Sequence, residues 1–226
     1  MPDRTSLPAD VLLVAAFEPE LADLRATIGD GTPIRIDGAV IAARVVGIGM
    51  AAAAAGAALA IAEARPRAVV LIGTCGAYGG GPLALGDVIV SRCVRLVDPS
   101  ALSGTAQFPA KMATAIDSSD PLRMALTDAG ARAADVATTL AITVNDAAAG
   151  FIARASATEV EHLEAFAVAV ACAAAGVAFA AVLGVANVVG TRAREQWQAN
   201  HHRVAARAAS VVLHWLRDGA PRLTHS

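Results

Sequence analysis

Cysteine is scarce in this 226-residue chain. Cys75, Cys93 and Cys172 are the only three, too few and too scattered for a disulfide framework, and none belongs to a CxxC pair that would hold a metal. A reducing compartment follows, so a cytoplasmic protein is expected. Charge is sparse as well. Charged residues make up 17% of the chain and the formal net charge is -2, which leaves no basic stripe for a phosphate backbone and argues against a nucleic-acid partner. The opening stretch MPDRTSLPADVLLVAAFEPE has an acidic flank and no small-residue cleavage site, so no secretion signal is expected there. Internal repeats and linkers are missing too, and a 56% share of hydrophobic residues excludes a largely disordered chain. The uncharged run Ala165–Ala186 is nominally long enough to span a bilayer. Its Ala-rich first half, Gly176 as a helix stop and the strand-like VAFAAVLGV divide it into two buried elements instead.

What is present is alternation. Apolar runs of strand length at Val11–Ala16, Ile34–Ile36, Val40–Val46, Ala68–Ile72, Asp87–Val97, Thr139–Val144 and Val177–Val185 are interleaved with helical stretches opening at Pro19, Ala51, Pro121, Glu164 and Arg192. That order predicts a three-layer α/β domain whose central mixed, largely buried sheet is flanked by helices. The expected organisation is an irregular lead over 1–10, a single domain over 11–218 and a tail over 219–226. The segment Asp98–Asp120 carries Pro, Ser, Gly and Thr without period and reads as a loop or mobile cover near a functional mouth.

Several stretches could carry chemistry. Gly47-Ile-Gly-Met-Ala-Ala partly matches a dinucleotide-binding turn, yet the next strand, AVVLIGTC, ends in Thr74 and Cys75 where an acid should hold a ribose. Tight helix–sheet packing explains the glycines better. The stretch GTCGAYGG at Gly73–Gly80 would let a ligand approach the backbone, or forms an ordinary irregular turn. Cys75 has no recognisable base partner and is expected to be inert. Glu20, Glu164 and Asn187 each stand just beyond an apolar run, where layered α/β proteins place their sites. A half-buried carboxylate there must find a partner or a function. Taken singly, each also fits a helix end or a turn. The adjacent His201 and His202 would point apart on a helix and make a poor chelating pair, so no metal and no cofactor are expected.

The segments VAAFEPE, GIGMAAAAAGAA, LIGTCGAYGGGPLALGDVIVS, TVNDAAAG, EHLEAFAVA and GVANVVGTRAREQW occur in the order found in the nucleoside phosphorylase and nucleosidase superfamily, which the chain resembles over most of its length. Within it the motifs are most similar to those of futalosine hydrolases, the nucleosidases of the menaquinone pathway, and next to methylthioadenosine/S-adenosylhomocysteine nucleosidases. The resemblance implies that Glu20 is the carboxylate that activates water and that Glu164 hydrogen-bonds the ribose hydroxyls. Asn187 would face the purine as the second catalytic group. Thr74, Cys75 and Gly76 would lie beneath the sugar, and Val144, Asn145, Ala148 and Ala149 would line the base pocket. Leu163 replaces the methionine usual before the ribose glutamate, His162 stands where Glu or a small polar residue is common, and Ala147–Ala149 replace an aromatic. A homodimer or higher homo-oligomer is implied as well.

Cleaving an N-glycosidic bond builds positive charge on the sugar and negative charge on the purine, and both must be stabilised. A carboxamide at position 187 leans toward a 6-oxopurine, whereas a protonated Asp would better serve adenine. A phosphorylase of this superfamily would carry arginine on the strand entering GTCG and in an early glycine-rich loop. Here those places hold Val70, Leu71, Ile72 and the acidic FEPE, which favours water over phosphate. The stretch TRAREQW either closes the pocket or starts a surface helix anchored by Trp197. The expected function is therefore hydrolysis of a purine nucleoside, a 6-oxopurine nucleoside such as futalosine, by carboxylate-activated water. The alternatives are a methylthioadenosine/S-adenosylhomocysteine-type nucleosidase or purine nucleoside phosphorylase, and a non-catalytic nucleoside-binding protein.

Overall fold

A computed structural model describes residues 8–29, 33–220 and 223. Most of the expected lead and tail, 1–7, 221–222 and 224–226, lies outside the described residues. The first half of the chain forms β1 (Val11–Ala15), a 3-10 turn at Glu18–Glu20, α1 (Ala22–Ile28), β2 (Ile34–Ile36), β3 (Ala39–Val45), α2 (Met50–Ala64), β4 (Ala68–Ala77) and β5 (Val88–Leu96). The second adds α3 (Pro99–Leu102), β6 (Ala115–Asp117), α4 (Asp120–Asp128), β7 (Arg132–Thr138), α5 (Asp146–Ser156), β8 (Val160–His162), α6 (Ala165–Ala175), β9 (Ala178–Val188) and α7 (Ala193–Arg217).

Strand β4 is the spine of a mixed sheet. Its side chains alternate between two cores: Val69 and Leu71 join one with the Ala-rich faces of α2 and α6, and Val70 and Ile72 join the other with α1, α4 and α7. That alternation is what a strand covered on both faces requires. Parallel pairing runs from β4 through β1 to β3, with β2 antiparallel at the edge. On its other side β4 pairs in parallel with β9, which is antiparallel to β5. Strand β5 is parallel to β7, β7 is parallel to β8, and β8 returns antiparallel to the last two residues of β4. The circuit β4–β9–β5–β7–β8 thus closes on itself, and short β6 borders β5.

Three sequence expectations are corrected. The GTCGA stretch, expected either to let a ligand approach the backbone or to form an irregular turn, is not a turn, because β4 continues through it to Ala77. The expected strand Thr139–Val144 is a loop following β7, its Ile142 and Val144 standing exposed. The segment Asp98–Asp120 is not all loop, since it holds α3, capped by the Asp98 carboxylate on the backbone N–H groups of Ser100 and Ala101, and β6. Among the described residues no helix is long and apolar enough to cross a membrane. The apolar run Ala165–Ala186 is α6, ended by Gly176 at φ +67°, and β9.

Candidate active site

Parallel strands β1, β3, β4 and β9 present their carboxyl ends on one side, the place where open α/β sheets hold ligands. A cavity of about 620 Å³ opens there. Its lining takes Ala16, Phe17 and Glu20 from beyond β1, Ile48 from beyond β3, Thr74, Cys75 and Gly76 from β4, and Asn187 from β9. Loop residues Ile142–Val144, the segment Glu161–Glu164 and the first turns of α7 complete it. A smaller cavity of about 290 Å³ shares Thr143 and is lined by Asp98, Pro99 and Phe108, which sets part of the Asp98–Asp120 segment beside the larger one.

Glu20 is 5% exposed although it sits in a short turn. Its Oε1 accepts from the Thr74 backbone N–H at 2.9 Å and from the Thr74 hydroxyl at 3.2 Å, while buried Oε2 has no protein partner. Burial pushes the carboxyl up to about 7, against the lowering effect of the Thr74 hydrogen bonds and with the Glu164 charge adding to the rise. Glycine at 73 makes this seat possible, because an added Cβ would stand 2.9 Å from Glu20 Oε1. The Thr74 hydroxyl in turn accepts from the Trp197 indole N–H at 3.1 Å. A hydroxyl that accepts there is free to give its own proton to Glu20. Trp197 stacks on His201 with ring centroids 4.1 Å apart and planes 13° apart. Both readings of TRAREQW meet in this residue, which anchors α7 and lines the cavity. The His201 and His202 rings, expected to diverge, lie 4.0 Å apart.

Glu164 precedes α6 and is buried. Its Oε1 accepts from the Gly49 backbone N–H at 2.7 Å, at the amino end of α2. The glycines of GIG therefore seat an internal acid, and the helix end where a dinucleotide phosphate would bind is already occupied. Neighbouring His162 is fully buried, and burial holds its imidazole below the usual range. Its Nδ1 accepts from the backbone N–H groups of Glu164 and Ala165, each at 3.1 Å, which assigns the ring proton to Nε2. The 3.3 Å approach of Nδ1 to Glu164 Oε2 is thus a contact of a neutral ring, not an ion pair. The protein spends a buried histidine on holding the turn in which Glu164 sits.

Asn187 owes its direction to a β-bulge. Cys75 pairs with Val185, but Gly76 pairs with Asn187, leaving Ala186 as the extra residue. Without it Asn187 would oppose Ala77 and face the other side. A Cβ on Gly76 would stand 2.7 Å from Asn187 Nδ2, and that nitrogen donates to the Val188 carbonyl at 3.1 Å.

Of the residues expected in a site, Glu20, Thr74, Cys75, Gly76, Val144, Leu163, Glu164 and Asn187 all line this cavity. Three do not. Asn145 is the N-cap of α5, its side chain accepting from the Ala148 backbone N–H at 2.9 Å, Ala148 lies in the first turn, and Ala149 is packed into a small core with Ile152 and Tyr78. The helix begins two residues after Val144, with Asn145 as its cap, so the pocket wall is Ile142–Val144. Burial pushes the Cys75 thiol up, and the neighbouring Glu20 charge adds to this. It stays protonated and is no nucleophile. The sequence reading missed Glu161 and Trp197's contact with Thr74. For Glu161 a signal existed: a charged residue between apolar Val160 and the site motif, too close to it to be solvent-facing. Among the described residues no three His, Cys, Asp or Glu side chains are grouped to hold a metal.

Comparison with known structures places the fold. A 5′-methylthioadenosine/S-adenosylhomocysteine nucleosidase from Colwellia psychrerythraea 34H, solved in complex with adenine, superposes with a TM-score of 0.82 at 22% identity, over 93% of this chain and 95% of that one. The S-adenosylhomocysteine nucleosidase of Streptococcus pyogenes gives 0.82 at 19% identity, over 95% and 98%. The futalosine hydrolase of Helicobacter pylori strain 26695 gives 0.84 at 15% identity, over 92% and 97%. No curated protein sequence matches significantly. The sequence pattern of the phosphorylase superfamily matches residues 10–217, and with that match over nearly the whole chain, the protein belongs to the phosphorylase superfamily.

Proposed function

We propose that this protein is a nucleosidase that hydrolyses the N-glycosidic bond of a purine nucleoside, with a 6-oxopurine nucleoside such as futalosine as its substrate. The observation that carries the reading is the convergence of Glu20, Glu164 and Asn187, from three distant parts of the chain, on one cavity. Glu20 supplies a base in a usable range: raised to about 7, it can hold a water at its unpartnered Oε2 and take a proton from it near neutral pH. Glu164, held by the Gly49 N–H at the amino end of α2, sits where it can bind ribose hydroxyls and stabilise the positive charge that grows on the sugar. Asn187 can donate to the purine as negative charge builds there.

Water is favoured over phosphate by the lining charges. Among the described residues the cavity lining holds Glu20, Glu161 and Glu164 against Arg194 alone, and β4 residues 70–72 are apolar and fully buried, so β4 brings no guanidinium to a phosphate. The test is base release from futalosine, inosine and methylthioadenosine, with and without phosphate. Turnover that depends on phosphate would overturn the hydrolase reading. Release of adenine alone would overturn the 6-oxopurine reading, and binding without turnover would leave a nucleoside-binding protein.

Asn187→Asp is expected to raise the preference for 6-amino over 6-oxo substrates by about 10-fold. A protonated carboxyl donates to N7 and leaves its carbonyl oxygen to accept from a 6-amino group and to repel the O6 lone pairs. The ratio of kcat/KM values for the two substrate classes checks this, and an unchanged ratio would show that other groups read the base.

A further inference from the structure

Glu161 lines the cavity and is 7% exposed, yet the mechanism above gives it nothing to do. We propose that Glu161 is the specificity-determining residue for the base, accepting the N1–H of a 6-oxopurine and so excluding 6-aminopurines. This deepens the nucleosidase reading and rests on it.

The placement comes from the sheet. Gly76 of β4 pairs with Glu161 on β8 at one side and with Asn187 on β9 at the other. Residues opposite one another in a sheet share a face, so the carboxylate and the amide flank a position that has no side chain. Two strand spacings put their Cα atoms roughly 10 Å apart, a gap that two converging side chains leave open for the edge of one planar ring.

The hydrogen bonds define what Glu161 offers. Its Oε2 accepts from the Tyr78 hydroxyl at 3.1 Å and the Thr143 hydroxyl at 2.6 Å, and its Oε1 accepts from the Thr143 backbone N–H at 2.9 Å. All three groups donate. Burial and the adjacent Glu161 charge push the Tyr78 phenol up, so it keeps its proton. Glu161 is thereby an acceptor, and Oε1, with a single donor, retains a second lone pair.

A purine's edge decides the rest. Read from N7 through position 6 to N1, a 6-oxopurine presents acceptor, acceptor, donor, and a 6-aminopurine presents acceptor, donor, acceptor. One Asn187 N–H is committed to the Val188 carbonyl. The amide then shows one N–H and one C=O, which can satisfy either base. The carboxylate cannot, because it accepts N1–H from the 6-oxo form and meets a lone pair on adenine.

The experiment compares inosine, N1-methylinosine and adenosine in wild type and Glu161→Gln, read both as base release and as binding of hypoxanthine, 1-methylhypoxanthine and adenine. Wild type is expected to favour inosine over the other two by about 10- to 100-fold, the range for one hydrogen bond to a charged group. In Glu161→Gln the adenosine-to-inosine ratio should rise, because the amide oxygen kept at the Thr143 N–H accepts N1–H without the carboxylate's charge and repels the adenine N1 lone pair less. Equal handling of hypoxanthine and 1-methylhypoxanthine by wild type, or an unchanged adenosine ratio in the variant, overturns the proposal. Should the variant fail to fold, the wild-type bases alone decide. Discrimination between bases without any turnover would remove the nucleosidase reading and leave this one standing, while turnover without discrimination would do the reverse.

Discussion

Replacing Glu20 by Gln is expected to lower kcat by about 10²- to 10⁴-fold with nucleoside affinity nearly intact, since the change deletes a general base and keeps its shape. Gln can still accept from the Thr74 N–H that holds Glu20. In wild type the rate should rise with pH through about 7, where the buried carboxyl loses its proton. Stability should move the other way. The folded carboxyl is raised from 4.5 to about 7, so between those values the folded state binds the proton more tightly than the unfolded state does. Its stabilising contribution is complete below pH 4.5 and is lost as pH climbs through 7, a difference of about 3 kcal/mol. Glu20→Gln should accordingly unfold at a higher temperature than wild type at pH 8, with the gap closing by pH 5. A flat pH–rate profile near neutrality, or a variant with an unimpaired rate, would move the base to another residue. An active variant of unchanged stability would mean that Glu20 is not buried as an acid in solution.

Glu164→Gln carries the second large effect, a fall in kcat/KM of about 10²- to 10³-fold, the scale for removing one preorganised electrostatic contact to a developing charge. The fold should survive it. The amide oxygen still accepts from Gly49, and its NH₂ would face His162 Nδ1, an acceptor, better than Glu164 Oε2 does at 3.3 Å. A readout specific to the ribose contact is available in 2′-deoxyinosine. Wild type should discriminate strongly against it relative to inosine, and the variant much less, because the partner of the missing hydroxyl has lost its charge. Equal discrimination in both proteins would show that Glu164 acts on something other than the sugar.

The elements that could be read from the chain were those in which local preference and burial agree. The strands at 11–15, 34–36 and 88–96 and the helices at 50–64 and 193–217 were legible because apolar period, glycine stops and proline positions pointed one way. Strand β7 was not, since RAADVAT carries Arg132 on one face and Asp135 on the other and lacks a β-branched run. The β-branched ITV that drew the prediction is instead an exposed rim of the cavity, with Ile142 and Val144 61% and 68% exposed. Helix α5 was hidden by Gly150 and by reading Asn145 as a pocket residue, when its side chain is a cap. In GTCGA the glycines suggested a turn, but Gly73 and Gly76 are small because Glu20 and Asn187 need the space. Glu20, Glu164 and Asn187 were visible as polar residues ending apolar runs. The bulge that turns Asn187 inward was not, because an extra residue in a strand is invisible to a period-two pattern.

The closed circuit of strands also sets the order in which a ribosome can finish this molecule. Strand β4 is complete at Ala77, but the β9 segment that covers its flank begins only at Ala178, about a hundred residues and some 5–20 s of translation later. Until then the nascent chain presents β4 with an unsatisfied edge made of AVVLIGTCGA, an apolar ribbon able to recruit a like strand from a neighbouring polysome product. Slowing synthesis between those two points should cost soluble yield, and a holdase chaperone present over that interval should restore it.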